Sequence, residues 1–293
     1  MPVSKDKLIF HVIGYTFLIV LSILCLLPLL FILGGSFSSE QSVILKGFSL
    51  IPEDFSLEAY QLSFKNPKDL LNAYFISTSV VLVGTTVGLM ITAMTGYVLS
   101  RRDFRYRNQF SFYIYFTSVF SGGLVPWYIM MVSYLDMKNN FLALILPALL
   151  NVFYIIVMKS FMAGLPFELI ESGKVDGANE LRIFFKLILP ISKPVLATIG
   201  LFIALGYWND FFAAMLFISD ESLMPLQYYL YRLVNSVDTL SRIAAMTGVP
   251  IPDMPKETLK LAMTVLVVMP IIFVYPFVQR FIVGGITVGA VKG

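Results

Sequence analysis

The side chains able to do chemistry in this 293-residue chain gather in two places. The first is Leu165 to Pro190, LPFELIESGKVDGANELRIFFKLILP, the most charged and most regularly punctuated stretch of an otherwise apolar sequence. The second is Trp208, Asn209 and Asp210, an aromatic face beside hydrogen-bonding groups. Such a trio suits contact with a sugar. It equally suits hydrogen bonding between helices in an apolar setting, where polar groups find partners on neighbouring helices. No Gly-x-x-x-x-Gly-Lys-[Ser/Thr] run is present, so the chain has no P-loop to cradle a nucleotide. The sole histidine, His11, lies at the edge of an apolar run, and the sole cysteine, Cys25, lies inside it. The spacing of His, Cys and carboxylates suggests no metal site and no nucleophile–base pair, and intrachain disulfides are excluded.

The charged stretch must be positioned by local structure. Pro166 suits the first turn of a helix, and Glu168 and Glu171 follow where the positive end of a helix dipole favours acids. Asp176-Gly177 is a turn signal, and Asn179 can cap a second short helix. Leu181, Phe184, Phe185 and Ile188 then fall close to helical spacing. Pro190 and Pro194 punctuate the entry into the next apolar run. The expectation is a helix–turn–helix outside the bilayer between two membrane spans, shaped to press a knob into another protein.

Composition sets the surroundings of that knob. The chain is 58% hydrophobic and 13% charged, against about 45–50% and ~25% for a soluble domain, so the excess must face lipid. Net charge of +3 requires no nucleic-acid partner. Apolar runs predict six spans, at residues 12–33, 71–99, 110–132, 141–158, 195–218 and 261–278. Each can cross a core of roughly 30 Å at ~1.5 Å per residue. The first exceeds the apolar region of a signal peptide and lacks a small-x-small cleavage site, so it reads as an uncleaved anchor. Gly84, Gly88 and Gly96 allow close packing on the second span, and Gly122-Gly123-x-x-Pro126 allows a kink in the third. The short loop carrying Arg101, Arg102, Arg105 and Arg107 fixes orientation by the positive-inside rule. Both termini and the knob then fall on the cytoplasmic side.

Five of these six runs contain no Asp, Glu, Lys, Arg or His; the exception carries Asp210. Ion-coupled carriers rely on buried ionisable relays, which disfavours that class. A membrane path without an engine implies an engine on another chain. Asp210, about 15 residues into the fifth run, would lie roughly 22 Å along its axis, past the midplane toward the outside.

Here the residues resemble a family. Glu171-x-x-x-x-Asp176-Gly177-Ala178, followed by Leu187-x-Leu189-Pro190, resembles the EAA signature of binding-protein-dependent ABC importer membrane subunits, with Ser172 and Gly173 replacing its two alanines and Leu187 its isoleucine. The position, between the fourth and fifth of six spans, is similar to that in MalG-type carbohydrate permeases. Gly47 to Pro52, Phe55 to Tyr60, Trp208 to Phe211, Tyr275 to Arg280 and the ending Gly289 to Gly293 resemble the LplC/YtcP-like branch, associated with oligosaccharides that include uronates. Length and start are also similar to those of the smaller membrane subunit of a bacterial alginate importer.

The resemblance implies an all-α polytopic membrane protein with the six-helix, type I ABC importer (MetI/MalG-like) fold. Residues 1–70 would form an anchor span and outer loop, 71–283 the transport core, and 284–293 a cytoplasmic tail. Residues 165–190 would be the coupling helix, with Glu168, Glu171, Asp176, Gly177, Ala178, Leu189 and Pro190 meeting the ATPase. A solvated amphipathic loop is the plainer alternative. Gly289, Val291 and Lys292 would reach the ATPase dimer interface, against the alternative of a frayed end. Trp208, Asn209 and Asp210 would line the substrate path. Implied partners are a second homologous permease, an ATPase dimer holding ATP and Mg, an extracytoplasmic solute-binding protein, an oligosaccharide and the bilayer of a bacterial inner membrane. The chain itself would be no enzyme and hold no cofactor. The alternative from another class is a membrane scaffold or sensor that borrows an ATPase. In the last outer loop, Leu226, Tyr229, Leu230, Leu233 and Val234 predict an amphipathic helix on the outer surface, beside Arg232 and Arg242.

Overall fold

The computed structural model describes residues 5–247 and 255–290. Within them regular structure is helical, apart from one isolated antiparallel bridge between Ser38 and Phe55. In chain order the helices are α1 (Lys5–Ser36), α2 (Glu40–Lys46), α3 (Glu58–Ser63), α4 (Pro67–Ser100), α5 (Arg107–Val119), α6 (Leu124–Ile129), α7 (Val152–Ala163), α8 (Glu168–Val175), α9 (Glu180–Ile183), α10 (Leu189–Ile191), α11 (Lys193–Asn209), α12 (Phe212–Phe217), α13 (Leu226–Thr247) and α14 (Lys256–Ala290).

Three uninterrupted stretches are long and apolar enough to cross a membrane: Ile9–Ser36, Pro67–Ser100 and Lys256–Pro276. The third and fourth predicted runs are bent pairs of helices, and a third bent pair leads from the charged stretch into the fifth. Arg107–Val119 meets Leu124–Tyr134 at 109°, Phe141–Ala148 meets Val152–Ala163 at 54°, and Glu180–Ile191 meets Lys193–Asn209 at 83°. The kink expected at Gly122-Gly123 is therefore a full break. Gly123 adopts φ +87°, a backbone region open to glycine at little cost. The fifth run is not one helix either: α11 stops at Asn209 and α12 restarts at Phe212. The break in the fourth follows from Asn151, whose Oδ1 accepts from Phe153 N at 2.9 Å and starts α7 afresh.

The chain divides into two units. The first combines Met1–Pro67 with Leu230–Ile271. Here α1 shows lipid-compatible apolar side chains on nearly all sides, Phe10 and Leu24 among them. Glu40 joins sequence-distant parts: its carboxylate accepts from Glu257 N at 2.8 Å and from Thr258 N and Oγ1 at 2.9 and 2.8 Å. An acid there satisfies orphan amides and meets the positive end of α14.

The second unit combines Lys68–Tyr229 with Ile272–Gly293. Its core is built on α4. A Cβ on Gly84 would lie 2.5 Å from the Tyr207 ring, on Gly88 2.9 Å from Leu149 O, and on Gly96 2.6 Å from Met158. The glycines are thus where neighbouring segments approach the α4 backbone, as their spacing predicts. Asn139, at φ +53°, accepts from Ser219 N and Asp220 N and so pins the end of α12. The amphipathic helix predicted from Leu226 is α13, which begins in this unit with Leu226 buried; its residues from Leu230 on, with Leu230 and Val237 buried, belong to the first. The last span continues as helix through Ala290, so helical backbone includes the start of the expected tail.

Candidate functional site

The charged stretch folds as its punctuation predicts. Pro166 precedes α8, and Glu168 and Glu171 occupy its first turn, both exposed. The helix ends in a glycine-centred cap. Gly177, at φ +73°, donates to Lys174 O at 3.0 Å, and Ala178 N reaches back to Gly173 O at 2.9 Å. This is the left-handed C-terminal cap that glycine favours. Asn179 Oδ1 accepts from Arg182 N at 2.8 Å and opens α9. The chain then passes through a π turn at Phe184–Ile188, in which Leu189 N donates to Phe184 O. Such a turn, immediately before Pro190, is one established source of helix distortion.

One face of this loop is buried and the other is bare. Ile170, Gly173, Ile183, Phe184 and Ile188 pack into the core. A Cβ on Gly173 would lie 3.0 Å from Ile183 Cγ1 and 3.1 Å from Leu187 Cδ1. That contact gives a physical reason for glycine at this position of the signature. It lets α8 lie closer to the following helix than alanine would. On the outer face stand Glu168, Glu171, Asp176 and Gly177, together with Val175 at 86% and Leu181 at 60% exposure. Ala178 and Leu189 are half-buried and Pro190 is exposed.

A charged cluster not predicted from the sequence ties this loop to the end of α4. Arg101 follows the last residue of α4 and is only 7% exposed. Its Nε and Nη2 donate to Asp103 Oδ1 and Oδ2 at 2.8 and 2.5 Å. Its Nη2 and Nη1 donate to Glu180 Oε1 and Oε2 at 3.0 and 3.1 Å, and Nη1 donates also to Tyr97 Oη at 2.9 Å. Tyr97 in turn donates to Glu180 Oε2 at 3.0 Å. Lys174 on α8 sits 3.1 Å from Asp103 Oδ2 and 3.4 Å from Glu180 Oε1. Hydrogen bonding from Arg101 holds the Asp103 carboxyl well below the usual carboxylate range, and Lys174 adds to the effect. The same bond to Asp103 raises Arg101, and Asp103 likewise raises Lys174. In the sequence Arg101 is legible only as an orientation signal. The only hint of its role was an Arg-Arg-Asp run beside a span; no local pattern links it to Glu180, 79 residues away.

Trp208, Asn209 and Asp210 fall together where α11 breaks. Asp210 Oδ1 accepts from Phe212 N at 2.9 Å and Ala213 N at 3.1 Å, so it caps α12. Asn209 donates to Leu205 O and accepts from Gln227 Nε2 at 3.3 Å. Trp208 is half-buried. Just before them, Tyr207 lies against Gly84 and donates to Ile145 O at 2.8 Å. Gly289 lies on α14, whereas Val291 and Lys292 fall outside the described residues. Among the described residues no group of three or more His, Cys, Asp or Glu is placed to hold a metal.

Among the described residues, fold and loop together define an all-helical chain with three to six segments able to cross a membrane and a structured helical loop between its fourth and fifth apolar segments. The chain belongs to the family of binding-protein-dependent transport system inner membrane components, whose pattern matches residues 84–288. It is 37% identical over 290 residues to the polygalacturonan/rhamnogalacturonan transport system permease protein YtcP of Bacillus subtilis (strain 168), covering 99% of this chain and all of that one. It is 38% identical to Protein LplC of the same organism, covering 99% and 97%. Among solved structures it is similar to a bacterial ABC transporter involved in the import of the acidic polysaccharide alginate. The TM-score is 0.78 at 28% identity, over 96% of this chain and 99% of that one. The chain is thus a permease subunit of an ABC importer for sugars or oligosaccharides.

Proposed function

We propose that this permease imports acidic oligosaccharides of the uronate class and is driven by an ATPase on separate chains. End-to-end likeness to YtcP supports the cargo class. The observation that carries the drive is the α8–Gly177–α9 loop, packed on one face and bare on the other. In this reading the bare face of Glu168, Glu171, Asp176, Gly177 and Ala178 seats in a groove of an ATPase subunit, with Leu189 and Pro190 closing the segment. The ATPase dimer holds ATP and Mg. A second, homologous permease completes the path, and an extracytoplasmic binding protein delivers the sugar. Both termini and the loop face the cytoplasm, and the tail residues Gly289, Val291 and Lys292 contribute to the contact with the ATPase dimer.

The mechanism is alternating access. ATP-driven closure draws two such loops together, the path opens outward to receive cargo, and hydrolysis resets it. Trp208, Asn209 and Asp210 line the path where α11 breaks. Broken helices place irregular backbone beside a cavity, a recurrent way to build substrate sites in membrane transporters.

The test is co-purification from detergent with candidate ATPase and permease partners, followed by ATP hydrolysis with a binding protein loaded with galacturonate or alginate oligomers. Stimulation by an acidic oligomer but not by a neutral one is the expected result. Equal stimulation by neutral oligomers would overturn the cargo class, and a chain that purifies without any ATPase would overturn the drive.

A further inference from the structure

We propose that Arg101 is the positioning residue that makes the α8–α9 loop move as one body with the end of α4. The proposal rests on the coupling role assigned to that loop. The loop meets its chain neighbours through apolar packing, its Ile170, Ile183 and Ile188 sharing a core with Met158 and Met162 of α7 and Ile199 of α11. On one side the loop joins α7 through the turn at Gly164, and on the other it reaches α11 through the 83° bend before Lys193. Both are places where the chain changes direction. The tie to α4 is different in kind.

Arg101 has five N–H donors, and five acceptor contacts meet them: two on Asp103, two on Glu180 and one on Tyr97. The fork to Glu180 fixes direction as well as distance, because a planar guanidinium donates two parallel N–H bonds to a carboxylate in one orientation. Lysine keeps the charge but has three donors on a flexible stem and cannot reproduce it. Arg101 also places its charge just past the C-terminal end of α4, where the helix dipole favours a cation. Lys174 on α8 bridges the same two carboxylates from the loop side, so two cations and two anions interlock. Behind them Tyr97 packs on Phe184 with ring centroids 5.3 Å apart. A membrane helix and the loop are thus joined by polar groups whose geometry admits little play.

The experiment uses the whole importer in liposomes, with the partner permease, ATPase and binding protein present, and galacturonate trimer as cargo. Uptake and ATP hydrolysis are measured on the same vesicles for Arg101→Lys and Glu180→Gln. Uptake per ATP should fall by about tenfold, within the range typical of coupling between sites. A role in folding alone would lower the amount of complex and scale both rates together, so an unchanged ratio overturns the proposal. A second measurement needs no cargo. Nitroxides attached after Arg102→Cys and Ser172→Cys, in a Cys25→Ser background, report the distance between the end of α4 and α8. With Glu180 present the distance should be narrow and identical in nucleotide-free and vanadate-trapped complexes. With Glu180→Gln it should broaden, and a distribution still narrow in that variant would also overturn the proposal. Glu171→Lys separates the two ideas. If it leaves binding-protein-stimulated ATP hydrolysis and uptake both normal, the coupling role of the loop itself is lost; if it abolishes that stimulation while Arg101→Lys leaves uptake per ATP unchanged, only the assignment of Arg101 falls.

Discussion

Arg101 and Glu180 meet through two parallel N–H···O bonds of 3.0 and 3.1 Å across 79 residues of sequence. One residue immediately follows a long apolar helix and the other begins the second half of the charged loop. The contact is asymmetric in exposure, since the arginine side chain is 7% exposed and the glutamate 54%. Removing the arginine therefore leaves carboxylates that water can reach. Removing the glutamate leaves a guanidinium that still has Asp103.

The cluster should resist mild acid. Asp103 has a carboxyl depressed below its ordinary value, chiefly by its bonds to Arg101. A depressed acid contributes stability that is fully present above its unfolded pKa of about 3.9 and is lost as pH falls through the lower, folded value. Between pH 5 and 8 Asp103 should thus add no pH dependence to the thermal midpoint. Below about pH 4 the midpoint should drop more steeply in the parent protein than in Asp103→Asn. Identical acid limbs for the two proteins would show that the pair contributes nothing, an outcome compatible with screening at a 44% exposed carboxylate.

Gly177 is held at φ +73°, and a Cβ there would meet nothing within 4 Å. The cost of Gly177→Ala is then backbone strain alone, about 1–2 kcal/mol for a left-handed residue. Asparagine tolerates that region better than alanine, so Gly177→Asn should cost less. Thermal unfolding in detergent provides the comparison. The reverse order would indicate that the turn relaxes out of the left-handed region.

Glu171→Lys reverses a charge on the exposed face of α8 and touches no membrane span. It should insert and assemble normally while losing most of its binding-protein-stimulated ATP hydrolysis. Normal stimulation in that variant would remove Glu171 from the ATPase contact.

Much of this architecture was legible because the signals were local. Asp176-Gly177 and Asn179 specify a turn and a cap within a few residues, and both occur where expected. The close approaches at Gly84, Gly88 and Gly96 were equally readable from spacing. Apolar length, by contrast, reports that a segment suits lipid and says little about its straightness. The breaks at Gly123, Asn151 and Asp210 were therefore underestimated, although a glycine pair and two capping residues marked them. The Arg101 cluster lay beyond local reading. Four charged residues and a tyrosine, from two stretches far apart in sequence, converge only once α4 and the loop have packed.

Tyr207 should be a support for the trio that follows it. Its hydroxyl donates to Ile145 O in a buried setting, and its ring fills the space that Gly84 leaves on α4. Tyr207→Phe keeps the ring and strands the carbonyl, at a cost of about 1–3 kcal/mol. The thermal midpoint should fall, and cargo affinity should weaken with it as α11 shifts. Loss of stability at unchanged affinity would confine Tyr207 to packing.

Asp210 combines two demands that substitution can separate. Its Oδ1 caps α12, whereas its charge is what an acidic cargo would meet. Asp210→Asn retains an acceptor for Phe212 N and Ala213 N, so stability should stay within about 0.5 kcal/mol, since asparagine and aspartate are comparable caps. Asp210→Ala removes the cap and should cost roughly 1 kcal/mol. If the residue lines the path, the asparagine variant should change the apparent affinity for galacturonate oligomers while leaving the thermal midpoint in place. Uptake that tracks only stability, falling in Asp210→Ala and unaltered in Asp210→Asn, would make Asp210 a helix cap and leave cargo recognition to Trp208, Asn209 and the partner permease.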